Sequence, residues 1–231
     1  MSYRRGTRGA TADSPIECVP RHACLLGSPA SAHGTSLQIL VEERQFPNRA
    51  CPLPRALRMP LETAQLQLFP WVPSHLAALI DAPSTFESLA GFPAADGMRA
   101  MMSSDDVAPE WLAELRRGTT ADPWRYGFFL VDRASNSVVG SIGFAGPIDD
   151  TGTVEIAYGV VPSVEGRGYA TEAAQALIAF ALAEPSVMRL RAHTLPVQNA
   201  STRILTKCGF SRVEDIIDPH DGPVWRWEKA R

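Results

Sequence analysis

The chain has 231 residues, is 45% hydrophobic and carries a net charge of −3 with an isoelectric point near 6.0. That is enough apolar material for one domain with a proper core. The mildly acidic balance excludes a general nucleic-acid or membrane-surface binder, which would cluster Lys and Arg. No stretch approaches the roughly 18 apolar residues of a membrane span. Arg4, Arg5 and Arg8 are not followed by the apolar run of a secretory signal, so a cytoplasmic protein is expected. Cys18, Cys24, Cys51 and Cys208 form no C-x-x-C pair. They read as reduced thiols, with no metal expected.

Residues 1 to about 60 are rich in Ser, Pro, Arg, Gly and Ala and have too little regular apolar spacing to offset their ordering entropy. Only Leu37 to Val41 reads as a short strand or helical turn. Met59 directly precedes the first convincing element. The segment is therefore expected to be a disordered tail or an over-extended reading frame, and residues 61–231 the domain.

The alternation from Gln65 to Trp71 predicts a first strand. Val72 to Ala82 and Trp111 to Arg117 read as helices, the second with Pro109 near its start. Between them, Pro83 to Val107 is punctuated by Gly and Pro; such a segment packs against the core and often walls a substrate site. Tyr126 to Asp132 and Ser137 to Phe144 predict two strands joined in a hairpin, and Thr153 to Val160 the next strand. A helix is predicted from about Arg167 to Glu184, stopping before Pro185. Met188 to Thr194 reads as a strand, and Asn199 to Cys208 as a helix closed by Gly209. Phe210 to Asp215 and Val224 to Trp227 complete the domain around a turn at Asp218 to Gly222. This order, with one βαβ unit from Thr153 to Thr194, predicts a mixed α/β domain with a single central sheet covered by helices.

Val154 to Ala183 carries the chemistry. Gly166, Arg167 and Gly168 sit where a strand hands over to an alanine-rich helix. Backbone without side chains lets a phosphate come close. The unpaired N–H groups of the helix's first turn and the positive end of its dipole then stabilise the anion. Tyr169, Ala170 and Thr171 follow without a third glycine, and no G-K-[ST] occurs, so a nucleotide-binding fingerprint is excluded.

A second motif follows the next strand, from Gln198 through Asn199, Ala200, Ser201 and Leu205 to Cys208, Gly209 and Phe210. Together the two motifs resemble the GNAT superfamily of acyl-CoA-dependent N-acetyltransferases, most closely the branch of the ribosomal-protein-alanine acetyltransferases. The similarity runs from about Leu66 to Trp227 and is specific in its second half. It implies a mostly antiparallel sheet splayed between two parallel strands. It also implies acetyl-CoA as co-substrate in the splay, and an amine acceptor, either a protein N-terminus or a small molecule.

The resemblance also assigns roles. Glu155 corresponds to a general base, and the backbone N–H groups of Val160 and Val161, beside a strand bulge, to donors for the carbonyl oxygen. The backbone of Gly166, Arg167, Gly168, Tyr169 and Ala170, with Thr171, would hold the pyrophosphate. Asn199 would bind the pantetheine arm, and Ser201 would lie near the thioester. This chain departs from the family pattern at Ser163 and Glu165, where a Gln or Arg and a non-acidic residue are usual. It departs again at Leu205, the usual place of a Tyr that protonates the leaving thiolate. An N-acetyltransferase is the leading expectation, and an acyl-CoA-binding sensor without turnover is the alternative. Exposed edges of the terminal hairpin would allow a homodimer.

Overall fold

The computed structural model describes residues 60–103, 113, 115–219 and 221–231. Nearly all of the expected tail, with Leu37 to Val41 and Cys18, Cys24 and Cys51, lies outside the described residues, as do 111, 112 and 114 of the Trp111 to Arg117 helix; its described residues, Ala113 and 115–117, are helical as expected. Among the described residues, eight strands form one sheet: β1 (Leu61–Glu62), β2 (Leu66–Pro70), β3 (Phe128–Asp132), β4 (Ser137–Phe144), β5 (Thr153–Val160), β6 (Arg189–Thr194), β7 (Ser211–Asp218) and β8 (Gly222–Ala230). Their spatial order is β1-β2-β3-β4-β5-β6-β8-β7. Besides the helical residues 113 and 115–117, the helices among the described residues are α1 (Pro73–Asp81), α2 (Pro83–Ala90), α3 (Met98–Met102), α4 (Pro123–Tyr126), α5 (Tyr169–Ala183) and α6 (Ala200–Lys207).

Side chains alternate across a strand, so adjacent Phe128 and Phe129 report on opposite faces of the sheet. Phe128 meets Phe180 of α5 edge-on, with ring centroids 5.2 Å apart. Phe129 meets Trp71 and Phe92, and Trp71 in turn meets Phe86 of α2. The sheet is therefore sandwiched, with α5 on one face and α2 on the other. Trp71, Phe86, Phe128 and Phe144 are among the largest fully buried side chains, and the Trp71 indole N–H is satisfied by Ser141 Oγ at 3.0 Å.

All neighbouring strands run antiparallel except β5 and β6. These two pair in parallel only at Thr153↔Arg189, Val154↔Leu190 and Glu155↔Arg191. Beyond Glu155 they separate, which is the splay that the resemblance implies.

Three expectations change. Pro83 to Val107 contains two helices; Pro83 at the first position of α2 and Gly91 in the left-handed conformation at its end (φ 80°) are the punctuation that bounds α2. The last hairpin is longer than predicted, because the ladder continues through Ile216↔Val224 and Ile217↔Pro223 down to Asp218↔Gly222. The bulge expected in β5 is not there: β4 and β5 stay in register from Gly140↔Val160 to Phe144↔Ile156, and the irregularity falls between Leu130 and Val131. Among the described residues, no helix is long and apolar enough to cross a membrane.

Candidate active site

Gly166 and Gly168 both take left-handed backbone angles, φ 75° and 86°, and Gly168 caps the start of α5. A Cβ built on either glycine would meet no protein atom within 4 Å. Their conformation therefore excludes side chains, and the space a side chain would fill is left open beside the first turn of α5. That space belongs to a cleft of about 150 Å³ lined by Val160, Gly166, Gly168, Ala170, Thr171 and Ile204, among others. An anion bearing a narrow chain fits this lining, since the first turn of α5 and the apolar side chains of Val160 and Ile204 border the same cleft.

Electrostatics of the cleft come from α6 as well. Arg203 and Lys207, one turn apart, line it together with Glu165. The acidic departure at Glu165 is thus answered by two cations from another element. Arg167 is exposed at the loop. Tyr169 places its ring inward: its hydroxyl donates to Asp132 Oδ1 at 3.0 Å, anchoring the start of α5 to the β3–β4 hairpin. Burial and the adjacent Asp132 carboxylate push the Tyr169 pKa up. Glu172 ties the same helix to β2, accepting from the Gln65 amide and from Gln65 Nε2 at 2.9 Å.

The Val161 N–H is already donated to Val139 O at 2.9 Å. In an antiparallel ladder the amides alternate in direction. The Val160 N–H therefore points away from β4, toward the opening between β5 and β6. Its orientation follows from regular alternation and needs no bulge.

Asn199 caps α6 in a capping box: its Oδ1 accepts the Thr202 N–H at 3.0 Å, and its own N–H is donated to Thr202 Oγ1 at 3.1 Å. Ser201 is 1% exposed, and its hydroxyl has no hydrogen-bond partner among the described residues. Its backbone oxygen accepts from the Tyr158 hydroxyl of β5 at 3.4 Å. Leu205, where the family's Tyr would stand, is fully buried. Burial raises the pKa of the Cys208 thiol, so this core residue is a poor nucleophile.

Glu155 lies on the other face. It alternates with Ala157 and Gly159, and Gly159 shares a face with Ser141, Phe129 and Trp71 through the register of β3 to β5. Met101 of α3 closes over Gly159, 3.1 Å from where its Cβ would be. The described part of the Pro83 to Val107 segment, residues 83–103, thus packs against this face. The Glu155 side chain is 10% exposed, and its Oε1 is 2.8 Å from Nδ1 of His193, itself 3% exposed. Next to them, Arg226 bridges Glu214 and Glu228, while Arg189 and Arg191 also reach Glu228.

The structure therefore brings Val160, Gly166, Gly168, Tyr169, Ala170 and Thr171 together at one cleft. It seats Asn199 and Ser201 at the start of the helix that walls this cleft, and puts Glu155 on the far side of the open strand pair. Sequence reasoning missed Arg203 and Lys207, although their spacing of four on the motif's own helix was a usable signal.

A model of the acetyltransferase (GNAT) domain matches residues 65–211. The chain belongs to the GNAT acetyltransferase family. YjdG, an N-acetyltransferase of Bacillus subtilis, is 35% identical over 89 residues, covering 38% of this chain and 51% of YjdG. The match thus spans about half the length of that relative. A GNAT-family acetyltransferase from Bacillus anthracis superimposes with a TM-score of 0.51 at 19% identity, covering 74% of this chain and 98% of that one. RimL, a ribosomal L7/L12 α-N-protein acetyltransferase solved with coenzyme A, gives 0.50 at 15% identity, covering 74% and 97%. At these identities the two structures establish the shared GNAT fold.

Proposed function

We propose that this protein transfers the acetyl group of acetyl-CoA to a primary amine by direct attack, with Glu155 as general base. The observation that carries the reading is the open strand pair β5/β6, with the glycine-lined anion cleft on one face and the buried Glu155 carboxylate on the other. A donor in the cleft and an acceptor on the Met101 side would meet in the gap between the strands, where the Val160 N–H is directed. Gly166, Gly168 and the first turn of α5 would bind the pyrophosphate, with Arg203 and Lys207 adding charge. Asn199 and Ser201 border the path of the pantetheine arm. Acetyl-CoA would supply the activated thioester and leave as the free thiol. The chain supplies orientation, a donor for the developing oxyanion and a proton acceptor.

Both acceptor classes, a protein N-terminus and a small-molecule amine, fit this reading. RimL acts on a protein N-terminus by its name. The second reading, an acyl-CoA sensor without turnover, is favoured by the fully buried Leu205 in place of the Tyr that would protonate the thiolate. Thermal unfolding with acetyl-CoA, against ADP, ATP and NAD, tests binding. Free-thiol release with spermidine and with peptides carrying free N-terminal Ala or Ser tests turnover. Selective stabilisation together with thiol release supports the enzyme; stabilisation with no release from any amine supports the sensor. With an acceptor in hand, Glu155→Gln should slow turnover by about 10² or more.

A further inference from the structure

We propose that Asp132 is a positioning residue for acetyl-CoA: through the Tyr169 hydroxyl it clamps the uncapped first turn of α5, whose N–H groups are to meet the pyrophosphate. This inference rests on the acetyltransferase reading above. It is carried by how differently the two helices bordering the cleft begin. α6 is closed by its own residues, with Asn199 and Thr202 in a capping box. α5 begins at Gly168, which has no side chain, and among the described residues no side chain caps it. Its first intrahelical bond runs from the Glu172 N–H to the Gly168 carbonyl at 3.0 Å. The N–H groups of Tyr169, Ala170 and Thr171 come before that bond and have no partner within the helix. A cap would occupy such donors. Leaving them to a ligand means that the turn has to be held in another way.

Side chains of two first-turn residues hold it. The Tyr169 hydroxyl donates to Asp132 Oδ1 at 3.0 Å. The Glu172 carboxylate accepts from the Gln65 backbone N–H at 2.6 Å and from Gln65 Nε2 at 2.9 Å. Both anchors belong to one stretch of sheet, since Asp132 pairs across β3 and β2 with Leu66, the neighbour of Gln65. Asp132 is 3% exposed. Its other donors, the N–H groups of Ala134 and Ser135 and the Ser135 hydroxyl, are local to the β3–β4 turn, and a turn of this kind needs only those. The bond to Tyr169 instead spans 37 residues to the first residue of α5. The Arg167 guanidinium is drawn to the same hydroxyl, partly offsetting the rise that burial and Asp132 impose on the Tyr169 pKa. One phenol thus fixes both the start of the helix and the loop before it. A free turn would have to be ordered when the ligand binds, at a cost in affinity; a clamped one is ordered beforehand.

The test measures coenzyme A binding by isothermal titration calorimetry in Tyr169→Phe, which keeps the ring and removes the hydroxyl, and in Ser141→Ala. The second variant removes the hydroxyl that accepts the Trp71 indole N–H at 3.0 Å, a buried bond on the opposite face of the sheet. Both variants should lose several degrees of Tm. Only Tyr169→Phe should weaken coenzyme A binding, by about tenfold. Without ligand, hydrogen exchange at the α5 amides from Glu172 onward should speed up more in Tyr169→Phe than in Ser141→Ala. Asp132→Ala should also weaken binding, and adding Tyr169→Phe to it should weaken binding no further, because the same bond is already lost. Asp132→Ala releases the β3–β4 turn as well, so Tyr169→Phe decides where that variant does not fold. Wild-type affinity in Tyr169→Phe overturns the proposal and leaves the acetyl-CoA reading standing. A wild-type protein that binds no coenzyme A overturns that reading, and the ligand named here falls with it.

Discussion

Gly168 makes the sharpest test of the anion cleft, because its backbone strain and its ligand effect can be separated. At φ 86° an alanine pays the left-handed penalty of about 1–2 kcal/mol, while its methyl group meets no protein atom within 4 Å. For a domain of this size, that strain lowers Tm by roughly 2–8 °C. Gly222, at φ 71° in the β7–β8 turn and equally open, carries the same strain far from the cleft. If phosphate oxygens approach the Gly168 backbone, the methyl group stands in their place and weakens binding tenfold or more. At a ligand concentration of 100 Kd the wild type gains about 2.7 kcal/mol; a tenfold weaker site gains only about 1.4 kcal/mol. Differential scanning fluorimetry of Gly168→Ala and Gly222→Ala, with and without acetyl-CoA, reads both effects at once. The two variants should lose similar Tm without ligand, and acetyl-CoA should raise Tm much less in Gly168→Ala. Equal ligand-induced rises would refute the placement of the phosphates beside α5.

Replacing Arg203 and Lys207 together with alanine should raise the KM for acetyl-CoA several-fold and flatten its salt dependence with kcat unchanged, measured by thiol release at low and high ionic strength. Burial alone would raise the Asp132 pKa, but hydrogen bonds from Ser135, Ala134 and Tyr169 outweigh it and hold the pKa below its ordinary 3.8. Asp132 therefore contributes stability above that value and loses it as pH falls through the lower folded-state pKa. Between pH 5 and 3, the Tm of wild type should fall more steeply than that of Asp132→Asn. Ser201→Ala removes a buried hydroxyl that has no partner among the described residues, so Tm should hold or rise, an unsatisfied group costing about 1–3 kcal/mol. Any loss of kcat in that variant then reports on the thioester, and a fall in Tm would show that the hydroxyl is satisfied.

The motif half of the chain was legible because glycine and capping residues act locally. Gly168, Asn199 and Gly209 each take the conformation that their residue type favours, and that is enough to set where α5 and α6 begin and where α6 ends. The Pro83 to Val107 segment was less legible: its helices are short, and what fixes them is contact with the sheet, such as Phe86 on Trp71 and Met101 over Gly159. The Glu155–His193 pair is long-range, 38 residues apart, and no spacing rule reaches across a βαβ unit to join them. The β5 bulge, expected from resemblance alone, is replaced by plain strand alternation that directs the Val160 N–H toward the opening.

These differences bear on the departure at Leu205. Many relatives by resemblance place a hydroxyl on the helix at that position; here the position is apolar and closed. Near this helix the Tyr158 hydroxyl of β5 donates to the Ser201 carbonyl of α6 at 3.4 Å. The Tyr158 side chain lies on the α5 face with Ile142 and Phe128, opposite Glu155 three residues earlier on the same strand. One strand thus presents a carboxylate to one face and a phenol to the other. That division suits a reaction in which a proton leaves the acceptor on one side of the sheet and the thiolate departs on the other.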